Sequence, residues 1–239
     1  MIPKIIHYCW FGGNELPVLA KECIASWRRH MPDWEIKAWT EDNFDLTAAP
    51  QYVKEAYAAH KYAFVSDYVR LWALEKEGGV YMDVDFIVYK SFEPLLIHNA
   101  FVGYEGCKRG AIMMGVIASI AQHPWISEMK DSYQNRPFIL SDGTFDLTPN
   151  TSYFTTELEH KGLILDGKEK DFYGVHIFPV DYFSPILTSG EDVRSENTYC
   201  ESKELRSWST KRNWKTMILS AVGPKWRVKI IKLKRKLLG

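Results

Sequence analysis

Strands alternating with helices along the chain predict an α/β fold rather than a helical bundle or a sandwich. Three observations carry that prediction. Short runs rich in β-branched and aromatic residues end at turn residues, and longer stretches with helical spacing separate them. The run VYMDVDFIVY, residues 80–89, follows Gly78-Gly79 and carries the strongest strand signal. No repeat and no low-complexity linker interrupts the 239 residues, a length that fits one large domain or one domain with an appendage.

In order, Ile5 to Trp10 reads as a strand closed by Phe11-Gly12-Gly13. Pro17 to His30 has helical character and Pro32-Asp33 ends it. WEIKAW, 34–39, alternates with period two and gives a second strand. Tyr52 to Lys76 reads as one or two helices stopped by the glycine pair. After the 80–89 strand come a short strand at Phe101–Tyr104, a mixed apolar stretch from Ala111 to Ala121, helices near Trp125–Tyr133 and Ser152–Lys161, and a late strand at Val175–Phe178.

Apolar residues make up 46% and charged residues 25%, an ordinary globular balance. The zero net charge hides an asymmetry. Ten of the 30 basic residues and none of the 30 acidic ones lie from Lys211 onward, leaving residues 1–210 with a net of −10. An acidic body argues against nucleic acid as a partner, and the basic end seeks anionic surfaces. The sequence therefore divides into a body, 1–210, and a basic tail, 211–239. Cys9, Cys23, Cys107 and Cys200 have no paired spacing, which predicts reduced thiols and a cytoplasmic chain. The first residues hold too short an apolar run for a signal peptide, and no segment has the length of a membrane span. His7 and His176 read as satisfied strand imidazoles; His30, His60, His98, His123 and His160 fall at helix ends or loops and read as solvated.

Asp83 and Asp85 are the anomaly. A carboxylate inside a buried strand costs several kcal/mol unless something compensates it. In one continuous strand both would project from the same face, with Cα atoms roughly 6.5 Å apart. Two hard carboxylates aimed into one space suit Mn²⁺ or Mg²⁺, with open positions left for phosphate oxygens. A hairpin whose acids meet water is the plain alternative. Upstream, Asp67 and Arg70 are i, i+3 neighbours on an otherwise apolar helix, so they either pair with each other or face a polar ligand.

The blocks IPKIIHYCWFGG (2–13), CIASWRRHMPDWEIKAWTEDNFD (23–45) and KYAFVSDYVRLWALEKEGGVYMDVD (61–85), with a weaker VHIFPVDYFSPI (175–186), resemble glycosyltransferase family 32, whose members carry a DXD sugar-binding motif. That group includes bacterial capsular-polysaccharide transferases, yeast mannosyltransferases and the catalytic domains of clostridial glucosylating toxins. The resemblance implies a GT-A fold, a nucleotide-sugar donor (a UDP-sugar by family habit), a divalent metal and transfer with retention of configuration. It implies that Asp85 ligates the metal with Asp83 beside it near the donor's ribose or sugar, that Asp67 and Arg70 hold the transferred sugar, and that Trp10 stacks on the base. A core role for Trp10 is the alternative.

The chain departs from the family where a C-terminal His-rich stretch is expected. In NTYCESKELRSWST, 197–210, Ser207 and Trp208 match the donor-binding pattern, but Ser202 and Lys203 stand at the histidine positions. Glu204 or Ser207 then offers a third metal oxygen, or Lys203 supplies positive charge beside the diphosphate. Within GPKWRVKIIKLKRKLLG, 223–239, Trp226, Ile230, Leu233 and Leu237 recur at helical spacing among lysines and arginines, the pattern of an interfacial helix on anionic lipid, with a solvated basic helix packed on the acidic body as the alternative. That reading places the chain peripherally on the inner face of the cell membrane, acting on a glycan or lipid-linked oligosaccharide acceptor such as a capsular-polysaccharide repeat. Two rivals stand beside it: a glycoside hydrolase using the aspartate pair, and a catalytically weak or inactive sugar-nucleotide-binding subunit.

Overall fold

The computed structural model describes residues 1–203; the basic tail, with Glu204, Ser207 and Trp208, lies outside the described residues. The architecture is the expected α/β one, a mixed seven-stranded sheet with helices on both faces.

Strand β1 (Ile5–Cys9), helix α1 (Val18–His30) and strand β2 (Glu35–Trp39) form the opening β-α-β unit, with β1 and β2 parallel. Ala20, Cys23, Ile24 and Trp27 give α1 one buried stripe at helical spacing. The helical stretch beyond residue 50 divides into α2 (Gln51–Ala58) and α3 (Tyr62–Glu77), with His60 at φ 55° in the joint.

Helix α3 ends on the glycine pair for a steric reason. Gly78 and Gly79 take φ of 68° and 107°, and a Cβ on either would lie 2.7 Å from the backbone of Ala121 or Ile5. The chain thereby drops straight from α3 into β3 (Gly79–Met82), which pairs parallel to β1.

The run 80–89 is not one strand, contrary to the sequence prediction. After β3 the chain turns a corner at 83–85, closed by Phe86 N–H donating to the Asp83 carbonyl at 3.2 Å, and continues as β4 (Phe86–Val88) in a separate sheet. The apolar alternation conceals the bend because Val80, Met82, Phe86 and Val88 all enter the same core cluster. Two acids in a corner reach solvent, whereas in a straight buried strand they would not.

Beyond a 3₁₀ turn (Glu93–Ile97), β5 (Ala100–Glu105) and β6 (Ala111–Ser119) run antiparallel; the mixed apolar stretch is thus a long strand. Helices α4 (Pro124–Asp131) and α5 (Asn150–His160) follow. A short strand β7 (Lys170–Phe172), the one-turn helix α6 (Val180–Phe183) and strand β9 (Cys200–Ser202) were not foreseen; β8 (Val175–Phe178) was. The sheet order is β2-β1-β3-β6-β5-β8-β7, while β4 pairs with β9.

Central strands are buried on both faces, so adjacent residues serve opposite cores. Tyr81, Val102 and Ile177 pack with α2–α5, and Val80, Phe101 and Phe178 pack on the side of α1 and α6. His7 is a satisfied core imidazole: its Nε2–H donates to the Gly78 carbonyl at 2.7 Å while Nδ1 accepts from Trp39 at 3.1 Å. His123 is not solvated as expected but buried, 3.1 Å from the Gly174 carbonyl. All four cysteines are unpaired, and among the described residues no helix is long and apolar enough to cross a membrane.

Candidate functional site

β1 and β3 are parallel, so Trp10 and Asp83, each just beyond its strand, emerge at the same edge of the sheet. In α/β sheets this carboxyl edge is where ligand crevices form.

Among the described residues, α1, β6 and the end of β9 brace the corner at 83–85. From β6, the Gly115 carbonyl accepts the Asp83 N–H at 2.9 Å. From α1, the Trp27 indole donates to the Phe86 carbonyl at 2.7 Å, and Ser26 Oγ accepts the Val88 N–H at 2.9 Å. From β9, the Lys203 N–H donates to the Asp85 carbonyl at 2.8 Å, and the Ser202 hydroxyl donates to Asp85 Oδ2 at 3.3 Å. Gly115 is tightly constrained: a Cβ there would sit 3.0 Å from Asp83 Oδ2 and 2.9 Å from the Phe86 ring.

Arg70 ties this corner to α3. Its Nη2 lies 2.8 Å from Asp67 Oδ1 and 3.5 Å from Asp83 Oδ1, and Nη1 donates to the Met114 carbonyl at 2.5 Å. The guanidinium also covers the Tyr81 ring at 4.5 Å, and the Tyr81 hydroxyl donates to Asp83 Oδ1 at 2.7 Å. The intrahelical Asp67–Arg70 pair therefore exists, but as part of a network spanning α3, β3 and β6. Exposure is graded: the side chains of Arg70 and Asp67 are 6% and 12% exposed, that of Asp83 39%. The Asp83 carboxylate is the solvent-facing end.

Burial governs the titration. It pushes the Asp67 carboxyl up to about 6, against the pull of Arg70 and with some help from Asp83. Burial works against the Arg70 cation as well, but the carboxylates of Asp83 and Asp67 outweigh it and its pKa rises. Sequence reasoning missed Glu105 at the end of β5. Burial raises it to about 7, opposed by a hydrogen bond with Thr151, and it feels the charges of both Asp83 and Arg70. Its one sequence signal was an acid at a strand end followed by glycine.

Trp10 is half-buried and lines a cavity of about 450 Å³ with Gly12, Asn14, Glu41, Tyr57 and Tyr62. Its indole N–H donates to the Asn14 carbonyl at 2.6 Å. Tyr62, at the start of α3, joins this cavity to the helix that carries Asp67 and Arg70. Lys203 sits beside Asp85 through its backbone, but its ammonium pairs with Glu201, which also holds Arg194 at 2.6 Å.

Among the described residues, the donors at the corner are hard oxygens: the carboxylates of Asp83 and Asp85 and the hydroxyl of Ser202. That chemistry fits Mn²⁺ or Mg²⁺ rather than a thiolate- or imidazole-seeking ion.

Part of the chain is similar to known glycosyltransferases. Over 136 residues the chain is 31% identical to inositol phosphoceramide mannosyltransferase 3 of Schizosaccharomyces pombe, covering 54% of this chain and 36% of that protein. It is 28% identical over 133 residues to mannosyl phosphorylinositol ceramide synthase SUR1 of Saccharomyces cerevisiae, covering 52% and 33%. The match thus spans about a third of these fungal relatives, which are mannosyltransferases rather than capsular enzymes. Among solved structures, the PaToxG glycosyltransferase superposes with a TM-score of 0.49 at 22% identity, covering 67% of this chain and 71% of that one. Residues 17–102, which contain the Asp67–Arg70 helix and the aspartate corner, match the family model described as the glycosyltransferase sugar-binding region containing DXD motif.

Proposed function

We propose that the chain is a metal-dependent glycosyltransferase that moves a sugar from a nucleotide-sugar donor to a glycan or lipid-linked acceptor, with retention of configuration. One observation carries the reading: Arg70 joins Asp67 to Asp83 next to the Asp85–Ser202 corner, at the sheet edge where Trp10 also emerges. Asp85, Asp83 and Ser202 would hold Mn²⁺ or Mg²⁺, whose charge would stabilise a departing diphosphate.

The chain's own residues do the positioning. Asp67 accepts hydroxyls of the transferred sugar, and Arg70 fixes both carboxylates while presenting positive charge where negative charge develops. The aromatic wall of the cavity, Trp10 first, receives the base. A UDP-sugar is the first donor to test; a mannosyl donor is the second, on the strength of the fungal relatives' names. The acceptor is a membrane-held glycan carrier, and the basic segment 211–239 brings the enzyme to the anionic face that presents it. The pairing of Lys203 with Glu201 favours a metal-dependent site over one in which that ammonium replaces the metal.

The test is thermal unfolding with UDP, GDP and their sugar conjugates, with and without Mn²⁺, followed by donor hydrolysis and transfer assays on the stabilising nucleotide. A Mn²⁺-dependent rise in Tm with turnover is expected. Binding without turnover would identify a sugar-nucleotide-binding subunit, and an unshifted Tm across the panel would overturn the proposal. Turnover undiminished by EDTA would favour a metal-independent hydrolase.

A further inference from the structure

A second cluster of ligating groups stands at the opposite edge of the sheet. His98 lies two residues before β5, a strand about 17 Å long whose far end carries Glu105. His98 is half-buried, not solvated as the sequence suggested, and stacks on His176 of β8 with ring centroids 3.9 Å apart. His176 meets carboxylates at both nitrogens: Nδ1 lies 2.8 Å from Asp171 Oδ1, and Nε2 lies 2.9 Å from Glu169 Oε1. One ligand atom each from His98, Asp171 and His176 falls within a 4.8 Å cluster.

We propose that His98, Asp171 and His176, with Glu169 behind His176, form a site for a divalent transition metal of the Zn²⁺ class. Two imidazoles and a carboxylate are a borderline-soft set that suits Zn²⁺, in contrast to the all-oxygen corner at Asp85. Glu169 on the outer nitrogen fixes the His176 ring and its tautomer, the arrangement that second-shell carboxylates provide for metal-bound histidines. Tetrahedral Zn²⁺ wants neighbouring ligand atoms roughly 3.3 Å apart, so Nδ1 and Asp171 need to open only slightly from 2.8 Å. Asp171, whose side chain is 82% exposed, moves freely to do so. His98 leaves its stack and turns its ring toward the ion. The ion would fasten the β7–β8 hairpin at the sheet edge to the segment entering β5, and water would complete the coordination.

The experiment titrates untagged, metal-stripped full-length protein with Zn²⁺ by calorimetry and with Co²⁺ by visible absorption. One bound ion per chain at this cluster and a tetrahedral Co²⁺ spectrum are expected. His176→Ala and His98→Gln should each weaken that binding roughly a hundredfold, and Glu169→Gln about tenfold. Asp85→Asn should leave it unchanged, which separates this site from the donor corner. Circular dichroism establishes that each variant is folded. Absence of Zn²⁺ binding, or equal binding by folded His176→Ala and His98→Gln proteins, would overturn the proposal.

Discussion

Substituting Gly115 by alanine tests the geometry of the corner directly. Its backbone lies outside the left-handed region, so alanine is conformationally permitted and in a strand would by itself stabilise by about 0.5–1 kcal/mol. Against that stands the added Cβ, 2.9 Å from Phe86 Cε2, 3.0 Å from Asp83 Oδ2 and 3.1 Å from Phe86 Cζ. Phe86 cannot retreat easily, because it is buried and its carbonyl is held by Trp27 at 2.7 Å. Overpacking of this kind costs about 1–3 kcal/mol, so a net loss of about 1–2 kcal/mol is expected. For a chain of this size that lowers Tm by about 2–8 °C. Asp83 is the more yielding neighbour, so its carboxylate shifts by a few tenths of an ångström. Metal and nucleotide affinity should then fall by about tenfold, equal to about 1.4 kcal/mol. Differential scanning calorimetry and titration with Mn²⁺ and UDP measure the two effects. An unchanged Tm with an unchanged Mn²⁺–UDP affinity would refute the claim that close packing against Gly115 positions the carboxylate.

Three further outcomes follow from the same network. Asp85→Asn should reduce Mn²⁺-dependent donor turnover by roughly a hundredfold or more while the fold survives, since the metal's contribution is several kcal/mol; initial rates with a saturating donor decide it. Asp67 has a folded pKa of about 6, above the ordinary carboxyl value of 3.8, so its protonated form is favoured by folding. Its contribution to stability is therefore full below pH 4 and lost as the pH rises through 6. The stability of wild type relative to Asp67→Asn should accordingly fall by roughly 3 kcal/mol between pH 2 and pH 8 in urea unfolding, and a flat difference would contradict the burial argument. Trp27→Phe should cost about 1–3 kcal/mol in the same assay, because it leaves the buried Phe86 carbonyl without its indole donor.

Local chemistry wrote much of this protein into its sequence. The β-α-β opening, the α3 stop at Gly78-Gly79 and the pairing of Asp67 with Arg70 all follow from spacing, glycine stereochemistry and charge, which act over a few residues. The fold class was legible for the same reason, and Asp83 and Asp85 announced themselves as acids in an apolar run.

Only tertiary structure decided the rest. The bend at 83–85 is invisible to periodicity because the residues on either side keep the same parity and enter the same core. Strand β9 is three residues long and has meaning only when paired with β4, which is how Ser202 reaches Asp85 across more than a hundred residues of chain. Gly115 and the Met114 carbonyl join the site because β6 lies beside β3, Glu105 comes near it because β5 pairs in turn with β6, and His98 meets His176 because β5 lies beside β8. Sequence records which groups a chain carries and their local rhythm; which of them become neighbours is set by strand pairing and by burial, and those interactions act between residues far apart in the chain.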